Sequence, residues 1–269
     1  MHRLSLVGVS GQAGSGKDTI ANYLCEEYQF KKVALADPIK RFGYHVFHFS
    51  EKQLWGPSSA RNALDKRYNE EYTWDEAQSR LEAWGHQYVC DILGDDDPSK
   101  TQPAHAALIH WFFWLKRSYF GKLSPRIMLQ TLGTEWGREA VSESIWMDYM
   151  LRTARSLLHE DGTTKFLDYD PLNGCMETEK DKTPRGIVVS DIRFENEFRR
   201  IREVGGAVIR VIRPDTDAGA ATIGVEGHAS EAHDYSFDDF DFILYNEGSL
   251  VDLYQNIDTY MTIYDSTHH

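Results

Sequence analysis

The chemistry of this chain gathers first around a lysine at the end of a glycine-spaced turn. Gly11-Gln12-Ala13-Gly14-Ser15-Gly16-Lys17-Asp18-Thr19 follows directly on the apolar run Leu4-Ser5-Leu6-Val7-Gly8-Val9. The spacing from Gly11 to Gly16 and Lys17 is that of a P-loop, in which backbone N–H groups and a lysine wrap the phosphates of a nucleotide. Glycines let the backbone approach the ligand, and the helix behind them adds partial positive charge. Ile20, Tyr23, Leu24 and Tyr28 recur at helical spacing, so strand, turn and helix are expected in the order this chemistry needs. Gly11, Ala13, Gly14, Ser15, Gly16, Lys17, Asp18 and Thr19 are the expected nucleotide-binding set.

Asp18 stands where a Ser or Thr hydroxyl usually reaches Mg²⁺. Thr19 is turned about 100° away on a regular helix and is not a simple replacement. A carboxylate beside a polyphosphate is repulsive unless a cation lies between them, so Asp18, with Thr19, is expected near the metal or its water shell. The plainer reading is that Asp18 complements the helix dipole.

Other candidates follow apolar runs. Asp37, with Lys40 and Arg41 just after it, could orient an acceptor or a metal-bound water while the two bases hold an acceptor phosphate; equally, Asp37 could cap a helix whose bases are solvated. Asp191 and Arg193 follow Gly186-Ile187-Val188-Val189-Ser190. There an acid can serve a metal and an arginine can reach a transferring phosphoryl group, against the alternative of a loop salt bridge. Gln130, Thr134, Trp136, Arg138 and Trp146 mix amide, hydroxyl, ring and guanidinium groups suited to a base and a phosphate; ordinary helix packing would use the same residues. His228 lies in a long loop that reads as a closing lid or a plain surface loop. Asn246 and Gly248 follow the last apolar run, either touching adenine or forming a turn before Ser249 as N-cap.

These groups need a scaffold. Five apolar runs, 4–9, 32–36, 186–190, 207–212 and 242–245, alternate with helical patterns at 17–28, 195–204 and from 249 onward. That alternation predicts an α/β fold with a five-stranded parallel sheet flanked by helices, ligands sitting at the carboxyl ends of the strands. Residues 42–158 are mostly helical in pattern and aromatic, an insertion within a single domain spanning 1–269. Within it, 108–115 makes a strongly apolar helix, read as core or dimer face. From Asp161 to Pro184 the composition turns polar and reads as a surface excursion.

Composition narrows the classes. A net charge of −13 opposes a nucleic-acid polymer as partner, and no lysine or arginine follows Arg213, so any anion must be held by the first three quarters of the chain. No run is long and apolar enough for a bilayer, no signal peptide is visible, and Cys25, Cys90 and Cys175 are scattered without zinc-ligand spacing, which together lead to an expected cytoplasmic location.

The runs 10–19, 36–40, 129–135, 190–197 and 228–231 together resemble the deoxynucleoside monophosphate kinases of tailed bacteriophages, over most of the chain and most weakly between about Phe49 and Lys122. The Gly-Lys-Asp form of the loop is usual in that family. The resemblance implies a P-loop NTPase fold of the nucleoside monophosphate kinase type with a helical substrate-binding insertion. It also implies ATP and Mg²⁺ as cofactors, a deoxynucleoside monophosphate as small-molecule acceptor, and a homodimer. In that picture Lys17, Arg193, Asp191 and Asp37 carry catalysis. Lys40, Arg41, Gln130, Thr134, Arg138, Trp146 and Arg193 hold the acceptor, and Asn246 and Gly248 meet the adenine. Animal phosphomevalonate kinases are similar too, sharing the Gly-Lys-Asp loop and the Ser-Asp-x-Arg run. A phosphomevalonate-type kinase and a nucleotide-dependent switch are therefore the alternatives.

Overall fold

The computed structural model describes residues 5–12, 14–214 and 240–268. Ala13 and His228, both singled out above, lie outside the described residues.

Five strands form one sheet: β1 (Leu6–Gly11), β2 (Phe30–Lys32), β5 (Gly186–Val189), β6 (Ala207–Ile212) and β7 (Phe242–Tyr245), in the order β2-β5-β1-β6-β7. Every neighbouring pair is parallel, with Val7 opposite Val188 on one side and Ala207 on the other. The central strands β1, β5 and β6 are mostly apolar because both faces are covered, whereas the edge strand β2 carries Lys31 and Lys32. Val7, Val9, Ile209 and Val211 pack with Ile20 and Leu24 of α1 (Lys17–Tyr28) and Leu253 and Ile257 of α10 (Leu250–His268). The alternate residues Leu6, Ile187, Val189 and Val208 face α9 (Glu195–Glu203) and the larger helical layer.

That layer consists of α2 (Asp37–Phe47), the short α3 (Glu51–Leu54) and α4 (Ser58–Asn62), α5 (Glu71–Leu93), α6 (Pro98–Tyr119), α7 (Pro125–Thr131), a π-helical stretch Leu132–Val141, and α8 (Ile145–Leu157). Its core is aromatic: Phe42, Phe47, Trp74, Tyr88, Trp111, Phe112, Trp136 and Trp146 are all buried. Along α6 the apolar stripe Leu108, Trp111, Phe112 and Leu115 faces inward, while Phe113 stays 46% exposed.

Two expectations need correction. The second strand occupies Phe30–Lys32 rather than 32–36. Val33 still donates to Val188 O at 3.0 Å, but the next N–H groups are taken by side-chain carboxylates and the ladder ends. The polar excursion contains an antiparallel hairpin, β3 (Leu167–Asp170) with β4 (Gly174–Glu177). Asp168 ties this hairpin to Lys31 of β2 at 2.5 Å and to Lys182 at 2.6 Å. Burial works against its charge, but the two lysines win and hold the carboxyl down at about 2.

The π stretch depends on its glycines. A Cβ on Gly137 would stand 2.4 Å from the Trp146 ring, and the indole donates to Gly133 O at 2.8 Å. Gly137→Ala is therefore expected to lower stability by about 1–3 kcal/mol, read as a shift of the urea midpoint without a change in slope.

Candidate active site

β1 delivers the chain to the glycine-rich loop at the carboxyl edge of the sheet, in its central position. Gly11, Gly14 and Gly16 have φ of 154°, 82° and 108°, values that a side chain would strain. A Cβ on Gly11 would meet Ser15 Oγ at 2.6 Å and Val211 O at 2.7 Å, so the loop closes on itself only with glycine there. Asn246, just past β7, donates its amide to Ser15 O at 2.8 Å and leaves no room for a Cβ on Gly16. The structure thus sets Asn246 on the loop itself. Gly248 makes room for Asp252, which closes the Ser249 cap of α10 from below.

Among the described residues, no side chain caps the N-terminus of α1, and the buried Ser15 hydroxyl has no hydrogen-bond partner. Lys17 donates to Gln12 O at 2.5 Å. Burial, followed by the field of Arg193, brings the Lys17 ammonium down to about 8. A half-desolvated cation, an uncapped helix end and an orphaned hydroxyl are the features that an oxyanion group would satisfy.

Asp18 is exposed, and its carboxylate accepts from Lys32 Nζ at 2.5 Å and Ser190 Oγ at 3.3 Å. Partial burial pushes its carboxyl upward, yet Lys32 and Ser190 together hold it below the usual range. Thr19 is half-buried in the same first turn.

Asp191 lies one strand over. It accepts the N–H of Leu35 at 2.8 Å and of Ala36 at 2.9 Å, and burial pushes its carboxyl upward against these donors. Asp37 is 4% exposed. It does not cap α2 in the expected way, since the N-cap position is Ala36 and no side chain bonds there. Its oxygens instead accept from Ala34 N–H, the Trp55 indole and the Tyr169 hydroxyl, each at 3.1 Å, with Lys40 Nζ at 3.8 Å. Lys40 also lies over the Trp55 ring. Tyr169 escaped the sequence reading because it sits in the polar stretch read as a surface excursion, and Trp55 because it is one of many aromatics in the helical insertion, with no spacing that points it at Asp37.

The arginines divide. Arg193 is exposed at the end of β5, and its field reaches Lys17. Arg138 turns the other way: it pairs with the buried carboxylate of Glu197 and lies 4.0 Å over the Phe194 ring, so it braces the 193–197 turn instead of gripping a phosphate. Arg41 is 6% exposed under the hairpin, donating to Tyr149 at 3.0 Å with Gly174 pressed against it, away from the loop. Trp146 is 2% exposed and packs on Trp136, which removes it as an open stacking surface. Gln130 on α7 and Thr134 on the π stretch are half-buried. Arg61 on α4 and Arg126 on α7, not singled out from sequence, stand near Arg193: Arg61 feels the fields of both. Neither lies in a motif, so only the fold reveals them.

The profile of the family described as deoxynucleotide monophosphate kinase matches residues 5–77 and 116–257. The chain belongs to the deoxynucleotide monophosphate kinase family. It is also 26% identical over 253 residues, 94% of this chain and 93% of the other, to the "Putative deoxynucleotide monophosphate kinase" of Acanthamoeba polyphaga mimivirus. The activity is accordingly that of a deoxynucleotide monophosphate kinase, a phosphotransferase. The break in the family match, 78–115, covers most of α5 and α6 and none of the site residues described above. Among the described residues, no helix is long and apolar enough to cross a membrane, and no group of three or more His, Cys, Asp or Glu could hold a metal ion.

Removing Arg138 leaves a buried carboxylate without its cation. Arg138→Met is expected to cost about 3–5 kcal/mol in urea unfolding. Arg199→Met, which breaks the exposed pair with Glu195, is expected to cost no more than about 0.5 kcal/mol.

Proposed function

We propose that this chain is a P-loop kinase of the nucleoside monophosphate kinase type that moves the γ-phosphoryl group of ATP, with Mg²⁺, onto the 5′-phosphate of a deoxynucleoside monophosphate. The observation that carries this reading is the glycine-rich loop with Lys17 at the central strand end, flanked by Asp191, Arg193, Asp37 and Lys40 from the neighbouring strand ends. The whole chain acts as one kinase domain, with 42–158 as its substrate-binding region. The exposed Phe113 of α6 offers apolar surface for a homodimer, and the expected location is the cytoplasm.

An oxygen of the acceptor phosphate attacks the γ-phosphorus, the bond to the β–γ bridging oxygen breaks, and ADP leaves. The acceptor oxygen is already ionised, so catalysis reduces to positioning and charge neutralisation. Lys17 leaves the Gln12 carbonyl to bridge the β- and γ-phosphates, and the 11–16 loop supplies N–H donors and the Ser15 hydroxyl. Arg193 meets the transferring group. Lys40, steadied by Asp37 and the Trp55 ring, faces the acceptor side. Asp18 and Thr19, with Ser190 beside them, fit the metal: an exposed carboxylate and hydroxyls at the foot of the loop. Bound Mg²⁺ supplies neutralisation of the phosphate oxygens.

The test is ADP formation from Mg·ATP with each deoxynucleoside monophosphate, the matching ribonucleotides and phosphomevalonate as acceptors. Turnover is expected to require a deoxynucleotide and to fall by about 10²–10³ in kcat/KM in Lys17→Ala. Turnover with phosphomevalonate alone would overturn the acceptor, and acceptor-independent ATPase would favour the switch.

Lys17 also sets a pH dependence. Its free ammonium titrates at about 8, and bound polyphosphate raises that value, so binding below pH 8 needs no proton whereas binding above it takes one up. ATP affinity is expected to fall above pH 8, by up to about tenfold per pH unit. Calorimetry at pH 9 in buffers of different ionisation heat should show uptake approaching one proton, and little of it from this group at pH 7.

A further inference from the structure

The β3–β4 hairpin belongs to no motif, yet it is fixed at its tip, its edge and its inner face. Asp170 Oδ1 accepts the N–H of Leu172 at 3.0 Å, the N–H of Asn173 at 2.8 Å and the Asn173 amide at 2.8 Å, so one carboxylate sets the turn. Gly174 then enters β4 with φ of 79° and lies against the buried Arg41 guanidinium, where a Cβ would meet Nη1 at 2.8 Å. Asp168 ties the edge to Lys31 and Lys182. Side chains alternate along a strand, so with Asp168 and Asp170 on one face Tyr169 is driven to the other, where it is 2% exposed.

That ring carries its hydroxyl to Asp37, 132 residues away in sequence, and donates to Oδ2 at 3.1 Å. Ala34 N–H reaches the same oxygen at 3.1 Å, the Trp55 indole reaches Oδ1 at 3.1 Å, and the Lys40 ammonium stands 3.8 Å from Oδ1. A carboxylate offers about four lone-pair sites, and these three hydrogen bonds and one ion pair take them up. Asp37 therefore keeps no free face for a water or an acceptor oxygen. Of the groups around it, the backbone N–H, the indole and the phenol are fixed by the fold. Lys40 alone is a long, charged side chain that can turn to a ligand, and the Trp55 ring confines it from the other side, 5.6 Å from Nζ to the centroid.

We propose that Tyr169 is a positioning residue of the kinase site: through Asp37 it holds the Lys40 ammonium ready for the acceptor nucleotide, and the hairpin is the strap that keeps it there. This rests on the kinase reading above. It takes Asp37 out of the roles of base and metal ligand and makes it the anchor of a cation. The direction of the effect follows from competition for one carboxylate. Without the phenol O–H, a buried lone pair of Asp37 is left unmet, and the carboxylate draws Lys40 onto itself and away from the ligand.

The experiment is equilibrium calorimetry on the full chain, with each deoxynucleoside monophosphate in the absence of ATP and with ATP alone. Tyr169→Phe keeps the ring and loses only the hydroxyl; it is expected to weaken deoxynucleoside monophosphate binding by roughly 5- to 20-fold while ATP affinity stays within about twofold. Lys40→Met should weaken acceptor binding at least as much. Tyr169→Phe added to Lys40→Met should then change it by no more than about twofold, because the hydroxyl acts through the ammonium. Asp168→Asn, which loosens the hairpin without touching Asp37, should give a smaller loss confined to the acceptor, and it serves as the reporter if Tyr169→Phe fails to fold, as judged by circular dichroism. Full acceptor affinity in Tyr169→Phe, an equal loss for ATP and acceptor, or an undiminished effect in the Lys40→Met background overturns the positioning role. A wild type that binds deoxynucleoside monophosphates with this pattern of losses, yet transfers nothing to them, would sink the kinase reading and leave the strap standing. A wild type that binds none of them overturns both.

Discussion

Two backbone N–H groups, those of Leu35 and Ala36, point at the single carboxylate of Asp191, and the cleft takes its form from that tie. A half-buried carboxylate needs donors, and backbone N–H groups past a strand end need acceptors; each meets the need of the other. The hydrogen bonds end the β2 ladder after Val33 and turn the chain so that Asp37 enters α2 beside Asp191. The two acids repel, and Asp37 adds to the upward push on the Asp191 carboxyl. Ala34 N–H, the Trp55 indole, the Tyr169 hydroxyl and the Lys40 ammonium surround Asp37 and offset that repulsion. Four separate segments are thus fastened to one turn: β5, α2, the Trp55 end of α3 and the β3–β4 hairpin. The hairpin, polar in composition, matters because it brings Tyr169 inside.

The charge distribution follows from the same arrangement. A chain with a net charge of −13 gathers Lys17, Lys40, Arg193 and Arg210 near its strand ends, where Arg210 reaches Ser10 at 3.3 Å and its field reaches Lys17. Concentrating cations costs folding energy unless the support is rigid. Rigidity comes from groups that touch no ligand: Glu197 accepts from the N–H of Arg193 and Phe194 while Arg138 neutralises it, so the turn carrying Arg193 is locked from below. Burial pushes the Glu197 carboxyl upward, and the same three donors pull it back towards the charged form.

Much of this was legible in the sequence, for identifiable reasons. Four of the five strands and the loop announce themselves because a buried parallel strand is mostly apolar and the loop requires glycine at fixed intervals; the edge strand β2, Phe-Lys-Lys, has no such run and was placed too late, at 32–36. Asp37, Lys40, Asp191 and Arg193 could be chosen because strand ends are where such a sheet places chemistry. Arg138, Arg41 and Trp146 show where that reasoning stops. Residue type records what a side chain is able to bind, whereas its partner is set by long-range packing: Glu197 lies 59 residues from Arg138, and Tyr149 lies 108 from Arg41. Arg61 and Arg126 were invisible for the same reason, being brought together by the packing of α4 on α7. The hairpin was hidden because two four-residue strands facing solvent have no apolar run to betray them.

The departure at Asp18 can be understood from this geometry. A carboxylate in place of a hydroxyl puts a full negative charge at the foot of a phosphate loop, which by itself would weaken polyphosphate binding. Lys32, at the end of β2, pairs with it at 2.5 Å, and Ser190 adds a hydroxyl at 3.3 Å. The pair is neutral, as a threonine would be, and Ser190 returns to the site the hydroxyl that the motif lacks. Asp18 is exposed, while Lys32 is drawn in beside it. The carboxylate in the loop is therefore balanced by the protein's own groups. That balance rests on two residues from different strand ends, β2 and β5, which the parallel sheet brings together.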